Sequence, residues 1–213
     1  MKSKKILFWS VALFAAFIMW TALLCFVDVE TIGPQGSKVG LAHLNRHFHA
    51  LTGVNMTLYT VTDWLGIIPI AVAFAFAAFG ISQWIKRKRL LAVDHSLFAL
   101  GIFYVAVMAA YVFFEVVSLN YRPILIEGRL EASYPSSTTM LVMCVMPTAI
   151  MQLIDRMQNK VLKGLTVTIS VAFIIFMVVG RLLSGVHWVS DIIGGALLSA
   201  ALVLAYRFAS ENM

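Results

Sequence analysis

Six long apolar runs, at residues 6–27, 64–84, 96–117, 138–154, 162–180 and 188–207, govern what this chain can fold into. A helix needs about 20 apolar residues, with a working range of roughly 17–25, to cross a hydrocarbon core. No water serves the backbone N–H and C=O groups there, so each run must satisfy its own as a helix. Hydrophobic residues make up 61% of the chain and charged residues 12%. Soluble domains carry roughly 25% charged residues, which excludes that class. The expected architecture is all-α and integral to the membrane. Six transmembrane helices form one bundle, and residues 1–213 form a single membrane domain. Pro69 and Pro147 fall inside two runs, a placement that membrane helices tolerate.

The loop charges orient the bundle. Lys2, Lys4, Lys5, Lys86, Arg87, Lys88, Arg89, Arg156, Lys160, Lys163 and Arg207 fall on one side, eleven of the 16 cations. Lys38, Arg46, Arg122, Arg129 and Arg181 fall on the other. The cation-rich side is cytoplasmic by the positive-inside rule. Both termini are therefore expected in the cytoplasm of a multi-pass plasma or cytoplasmic membrane protein. Residues 28–63, 118–137 and 181–187 are expected outside. Lys2, Lys4 and Lys5 before an apolar run resemble a signal peptide. The run is too long for one and lacks a clean cleavage site, so an uncleaved first helix is expected. The net charge of +6 lies in short loops between spans and implies no nucleic-acid partner. Cys25 and Cys144 sit in apolar runs and read as free thiols.

Outside, residues 38–52 read as a short amphipathic helix on the bilayer surface, placed to roof a site. Val39, Leu41, Ala42, Leu44, Phe48 and Leu51 follow a rough 3.6 period. His43, His47 and His49 lie between them and read as surface residues.

Polar residues concentrate in two outward segments. In the first, Arg181, His187 and Asp191 follow one another at spacings of six and four, flanked by apolar runs. Ionisable groups at a membrane edge are costly, so such a cluster marks a site. At i,i+4 on a helix, His187 and Asp191 share a face, and the carboxylate can orient one ring nitrogen while the other stays free. Arg181 offers a guanidinium fork for phosphate oxygens. In the second segment Arg122 and Arg129 precede Ser136, Ser137 and Thr138, which open an apolar run. Ser and Thr cap helix N-termini, where free N–H groups bind anions. Two arginines, a Ser/Thr helix start and a His–Asp pair on one face point to phosphate chemistry.

Arg122-Pro123, then Tyr134-Pro135-Ser136-Ser137-Thr138, then Arg181-x5-His187-x3-Asp191 resemble the three motifs of the type 2 phosphatidic acid phosphatase superfamily. The likeness covers roughly residues 96–207. It implies hydrolysis of a lipid phosphate or diphosphate outside the cytoplasmic leaflet, through a phosphohistidine, with no metal and no cofactor. It implies His187 as nucleophile, with Asp191 orienting it. It also implies that Arg122, Arg181, Ser136 and the Ser137 backbone cradle the phosphoryl group.

Two positions depart from the family. Glu115 stands where its first motif has lysine, and Ser137-Thr138 stand where its second ends in glycine-histidine. Arg129 is expected to replace the lysine by lining the pocket or pairing with Glu115, itself read as a structural ion-pair partner. The histidine normally protonates the leaving group, and its absence favours a diphosphate, whose leaving phosphate has a second pKa of about 6. Glu131, Glu127 and the outward histidines are the candidate substitutes for it. The other reading is a non-catalytic relative that binds lipid phosphate or serves as a membrane scaffold or transport component.

Overall fold

The computed structural model describes residues 2–212. Its helices are α1 (Lys2–Phe26), α2 (Ala42–Thr52), α3 (Met56–Leu65), α4 (Ile67–Arg87), α5 (His95–Val116), α6 (Ser137–Arg156), α7 (Lys160–Leu183) and α8 (Val189–Asn212). Six helical stretches are long and apolar enough to span a membrane, as the six runs require. Between helices, the described residues pair only as isolated bridges, Glu30 with Val39, Tyr121 with Ala132 and Ile126 with Arg129.

Capping residues set the starts. The Asn55 side chain accepts from the Leu58 N–H at 2.9 Å and opens α3. Asn159 accepts from Val161 and Leu162 and opens α7. Ser136 does the same for α6. Each bond satisfies an N–H that the first turn leaves without a helical partner.

Two boundaries differ from the sequence expectation. The second span begins at Met56, not at residue 64, because α3 runs into α4 with only a break at Gly66. All of residues 56–63, expected as part of an outer segment, is therefore helix. The amphipathic helix begins at Ala42 rather than Lys38, because Val39 is held in the bridge to Glu30 and Leu41 is left-handed.

α6 and α8 form the centre. α8 packs on α1, α5 and α6, and α6 also packs on α4 and α7. The core between them holds Phe17, Leu100, Phe103, Tyr134, Met140 and Leu198. Large apolar side chains of α1, α4, α5 and α7 face outward. Such belts are excessive for a surface in water and normal for one in lipid. Ser3 and Asn212 hydrogen-bond, so both ends of the chain meet at one end of the bundle. The loop before α3, the 117–136 segment and the α7–α8 turn gather at the other.

Candidate functional site

The site grows from the α7–α8 turn. Gly185 has φ +66, and a Cβ there would lie 1.8 Å from the Gly53 carbonyl oxygen. Only glycine fits, and the tight turn brings His187 back over the end of α7. Arg181 ends α7 with 1% of its surface exposed, and its Nη2 lies 3.4 Å from His187 Nε2. On the far side of the ring, Nδ1 lies 3.7 Å from the Asp191 carboxylate. That exceeds a hydrogen bond, but it orients the ring with Nδ1 toward the acid and Nε2 toward the arginine. Asp191 is itself fixed, accepting from the Trp188 N–H at 2.9 Å and from Asn120 at 3.3 Å. Burial first, then Arg122 and Arg181, push the His187 imidazole well below its usual range, with Ser133's backbone opposing. A neutral ring keeps the lone pair that a nucleophile needs.

Arg122 arrives on the 120–133 hairpin. Its N–H donates to the Glu131 carbonyl, and Trp188 Nε1 donates to the neighbouring Tyr121 carbonyl at 2.7 Å. Arg122 Nε lies 3.1 Å from Glu131 Oε2, yet neither Nε nor Nη1 makes an aligned hydrogen bond. Nε and Nη1 of Arg181 are likewise buried without one, although Asp63 stands 3.5 Å from Nη1. Buried guanidinium donors need acceptors, and two forks facing one imidazole suit an anion with several oxygens. The Tyr59 ring lies 4.9 Å from the Arg181 guanidinium and 5.9 Å from that of Arg122, a shared cation–π platform. Tyr59 and Asp63 were missed from sequence because α3 reads as loop; their i,i+4 spacing is the one signal for them.

The other expected residues divide. Ser136 is fully buried and engaged as a cap, its oxygen 3.5 Å from the Thr139 N–H, while its own N–H donates to the Asp191 carbonyl. Ser137 reaches a cleft beside His187, with Glu115, Tyr111 and Ser133. Thr138 instead lines a groove of about 610 Å³ with Asp63, Trp64, Ile67, Met108 and Leu141. Arg129 does not join the site. It lies exposed at the hairpin tip, paired by its backbone with Ile126. Among the described residues it makes no ion pair with Glu115. The tight turn at Glu127 and Gly128, both at positive φ, directs that tip away.

α2 roofs the site through hydrogen bonds. Asn45 Nδ2 donates to Ser190 Oγ at 2.9 Å and to the Gly40 carbonyl, and its Oδ1 accepts from the Ser190 N–H at 3.1 Å. His49 Nε2 lies 3.1 Å from the Gly185 carbonyl oxygen, and its ring packs on Trp188. Asn45→Ala leaves the buried start of α8 unpaired, at about 1–3 kcal/mol, a melting-temperature fall of roughly 2–10 °C. Thermal unfolding in detergent reads it, and an unchanged midpoint contradicts it. Asp28, Glu30 and His43 also cluster on this side, the acids half-buried and His43 exposed. Arg46 pairs with Glu30, and His43 Nδ1 lies at hydrogen-bond distance from Asp28.

Residues 114–213 match the family model of the PAP2 superfamily. The matched stretch contains Arg122, Arg181, His187 and Asp191, whereas Tyr59, Asp63 and Asn45 lie before it. A crystal structure from Bacillus subtilis, the first transmembrane PAP2-type phosphatidylglycerolphosphate phosphatase, is similar at 16% identity. The match covers 96% of each chain with a TM-score of 0.59. It shows the membrane PAP2 fold. No curated protein matches the chain.

Proposed function

We propose that this chain is a membrane phosphatase that hydrolyses a lipid-linked phosphate or diphosphate at the extracytoplasmic face. One observation carries the reading. A neutral His187 presents Nε2 to the same space as the unpaired donors of two buried arginines, with Asp191 behind the ring. The groove supports a lipid substrate. Trp64, Ile67, Ile70, Val107 and Leu141 give it apolar walls, and Tyr111, Ser137 and Met140 belong to both the groove and the His187 cleft. A chain lying in the groove brings its phosphate to the histidine. The PAP2 match and the similar phosphatidylglycerolphosphate phosphatase agree with this class.

Chemistry runs in two steps. His187 Nε2 attacks phosphorus while Arg122 and Arg181 stabilise the charge on the phosphoryl oxygens. Water then cleaves the phosphohistidine. Asp191 holds the ring and stabilises its positive charge as the bond forms. Two guanidiniums bind the phosphoryl group, so the reading includes no metal.

The test is phosphate release by purified protein from a panel of lipid mono- and diphosphates, with and without chelator. Release unaffected by chelator is expected. Binding of lipid phosphate with no release on any substrate points to the non-catalytic reading instead, for which Glu115 and Thr138 are the motivating residues.

Topology is tested separately. In a cysteine-free background, an impermeant maleimide should label Leu125→Cys on intact cells but not Gln158→Cys. The expectation rests on the eleven-to-five division of cations. Labelling at Gln158→Cys alone reverses the orientation.

A further inference from the structure

The cleft beside His187 has room for roughly one water, about 10 Å³, and its single carboxyl group is that of Glu115. Tyr111 and Phe114 accompany it from α5, and Ser137 and Met140 close the opposite wall from α6. Among the described residues, no lysine, arginine or histidine nitrogen stands within 4.0 Å of Glu115. The ion pair expected from sequence is not formed, and the exposed Glu115 carboxyl group has no cationic partner.

We propose that Glu115 is the acid–base residue of this site, doing from α5 what Thr138 cannot do from α6. The proposal rests on the phosphatase reading above. In the first step the Nε2–P bond forms as the P–O bond to the lipid breaks. The leaving oxygen takes the electron pair and the Glu115 proton and departs as an alcohol. In the second step the Glu115 carboxylate takes a proton from water as the water oxygen bonds to phosphorus. The P–N pair returns to Nε2 and phosphate leaves.

Geometry favours Glu115 over every other acid near the site. In-line displacement puts the leaving oxygen on the side of phosphorus away from Nε2. The leaving oxygen carries the lipid, so it lies toward the groove, and Tyr111 and Ser137 bring the groove to the Glu115 side of the cleft. Glu131 is taken up by Arg122, Asp63 by Arg181, and Asp191 lies behind the imidazole. Glu127 sits at the hairpin tip, in the same left-handed turn that carries Arg129 away from the site. His43 is held by Asp28 and His49 faces a backbone carbonyl. Tyr134 is held by Thr21 at 2.7 Å. The two departures from the family pattern then form one exchange: a binding cation is lost at 115, and the acid lost at 138 is regained there.

The experiment compares a lipid phosphate monoester with an isoprenyl diphosphate, using the full chain in detergent. Wild type is expected to hydrolyse both. Glu115→Gln, close in shape, should lower monoester turnover by roughly 10²–10⁴-fold, the usual worth of a general acid. Diphosphate turnover should fall by less than about tenfold, because phosphate leaves as a weakly basic anion. Glu115→Asp should recover part of the monoester rate, which a purely structural role would not give. Equal losses on both substrates, or none on either, overturn the proposal. So does a wild type active on diphosphate alone. A wild type inactive on both, or a His187→Ala variant as active as wild type, overturns the phosphatase reading and the proposal with it.

Discussion

His187→Ala is expected to abolish phosphate release from every lipid phosphate, on the order of 10⁴–10⁶-fold, as loss of a nucleophile does. Lipid-phosphate binding should persist, because the two guanidiniums that hold the oxygens come from other positions. His187→Gln should fail equally while filling the space, which separates lost chemistry from lost packing. The imidazole is held well below its ordinary range by burial and by Arg122 and Arg181. An ordinary histidine loses its lone pair as pH falls through about 6.5. This one stays neutral through that pH, so the acid limb of kcat due to His187 should lie below it. Turnover lost with an apparent pKa near 6.5 would show the ring to be ordinary and exposed.

The second large effect is expected at Asp191. Asp191→Asn should lower kcat by roughly 10³–10⁴-fold, the scale seen when a carboxylate that sets a catalytic tautomer becomes an amide. The carboxylate accepts from the Trp188 N–H and from Asn120 while facing His187 Nδ1. An amide has one acceptor oxygen and cannot serve all three. If the oxygen keeps Asn120, the NH₂ takes the place of Oδ2, which faces both the Trp188 N–H and Nδ1; it draws the lone pair to Nδ1 and leaves the proton on Nε2, where it blocks attack. The measurement is single-turnover phosphate release at saturating lipid. A loss below about tenfold would show that the 3.7 Å contact does not set the tautomer.

Much of this was legible in the sequence because the membrane leaves few options. Runs near 20 residues long must be helices, and all six appear. Arg122, Arg181, His187 and Asp191 stood out because charge is rare in this chain, and the structure gathers them. The remainder depended on direction, which spacing does not encode. Arg129 and Glu131 flank the same hairpin, yet its left-handed turn sends one outward and leaves the other against Arg122. Residues 56–63 contain three threonines and Asp63, so they resembled loop, and Tyr59 and Asp63 went unseen beneath Arg181. Asn45 resembled one more polar residue on a surface helix; its burial depends on where α8 begins. Glu115 looked like half of an ion pair because opposite charges were near in sequence, whereas in space it lines the same small cleft as His187.

The central claim is that phosphate passes through His187. Rapid mixing of the protein with a lipid phosphate labelled at phosphorus, quenched in alkali, tests it most directly. The account predicts an alkali-stable, acid-labile phosphoryl group on the peptide that contains His187, appearing before free phosphate and absent in His187→Gln. Steady phosphate release with no label on that peptide, or with label on another residue, would contradict it.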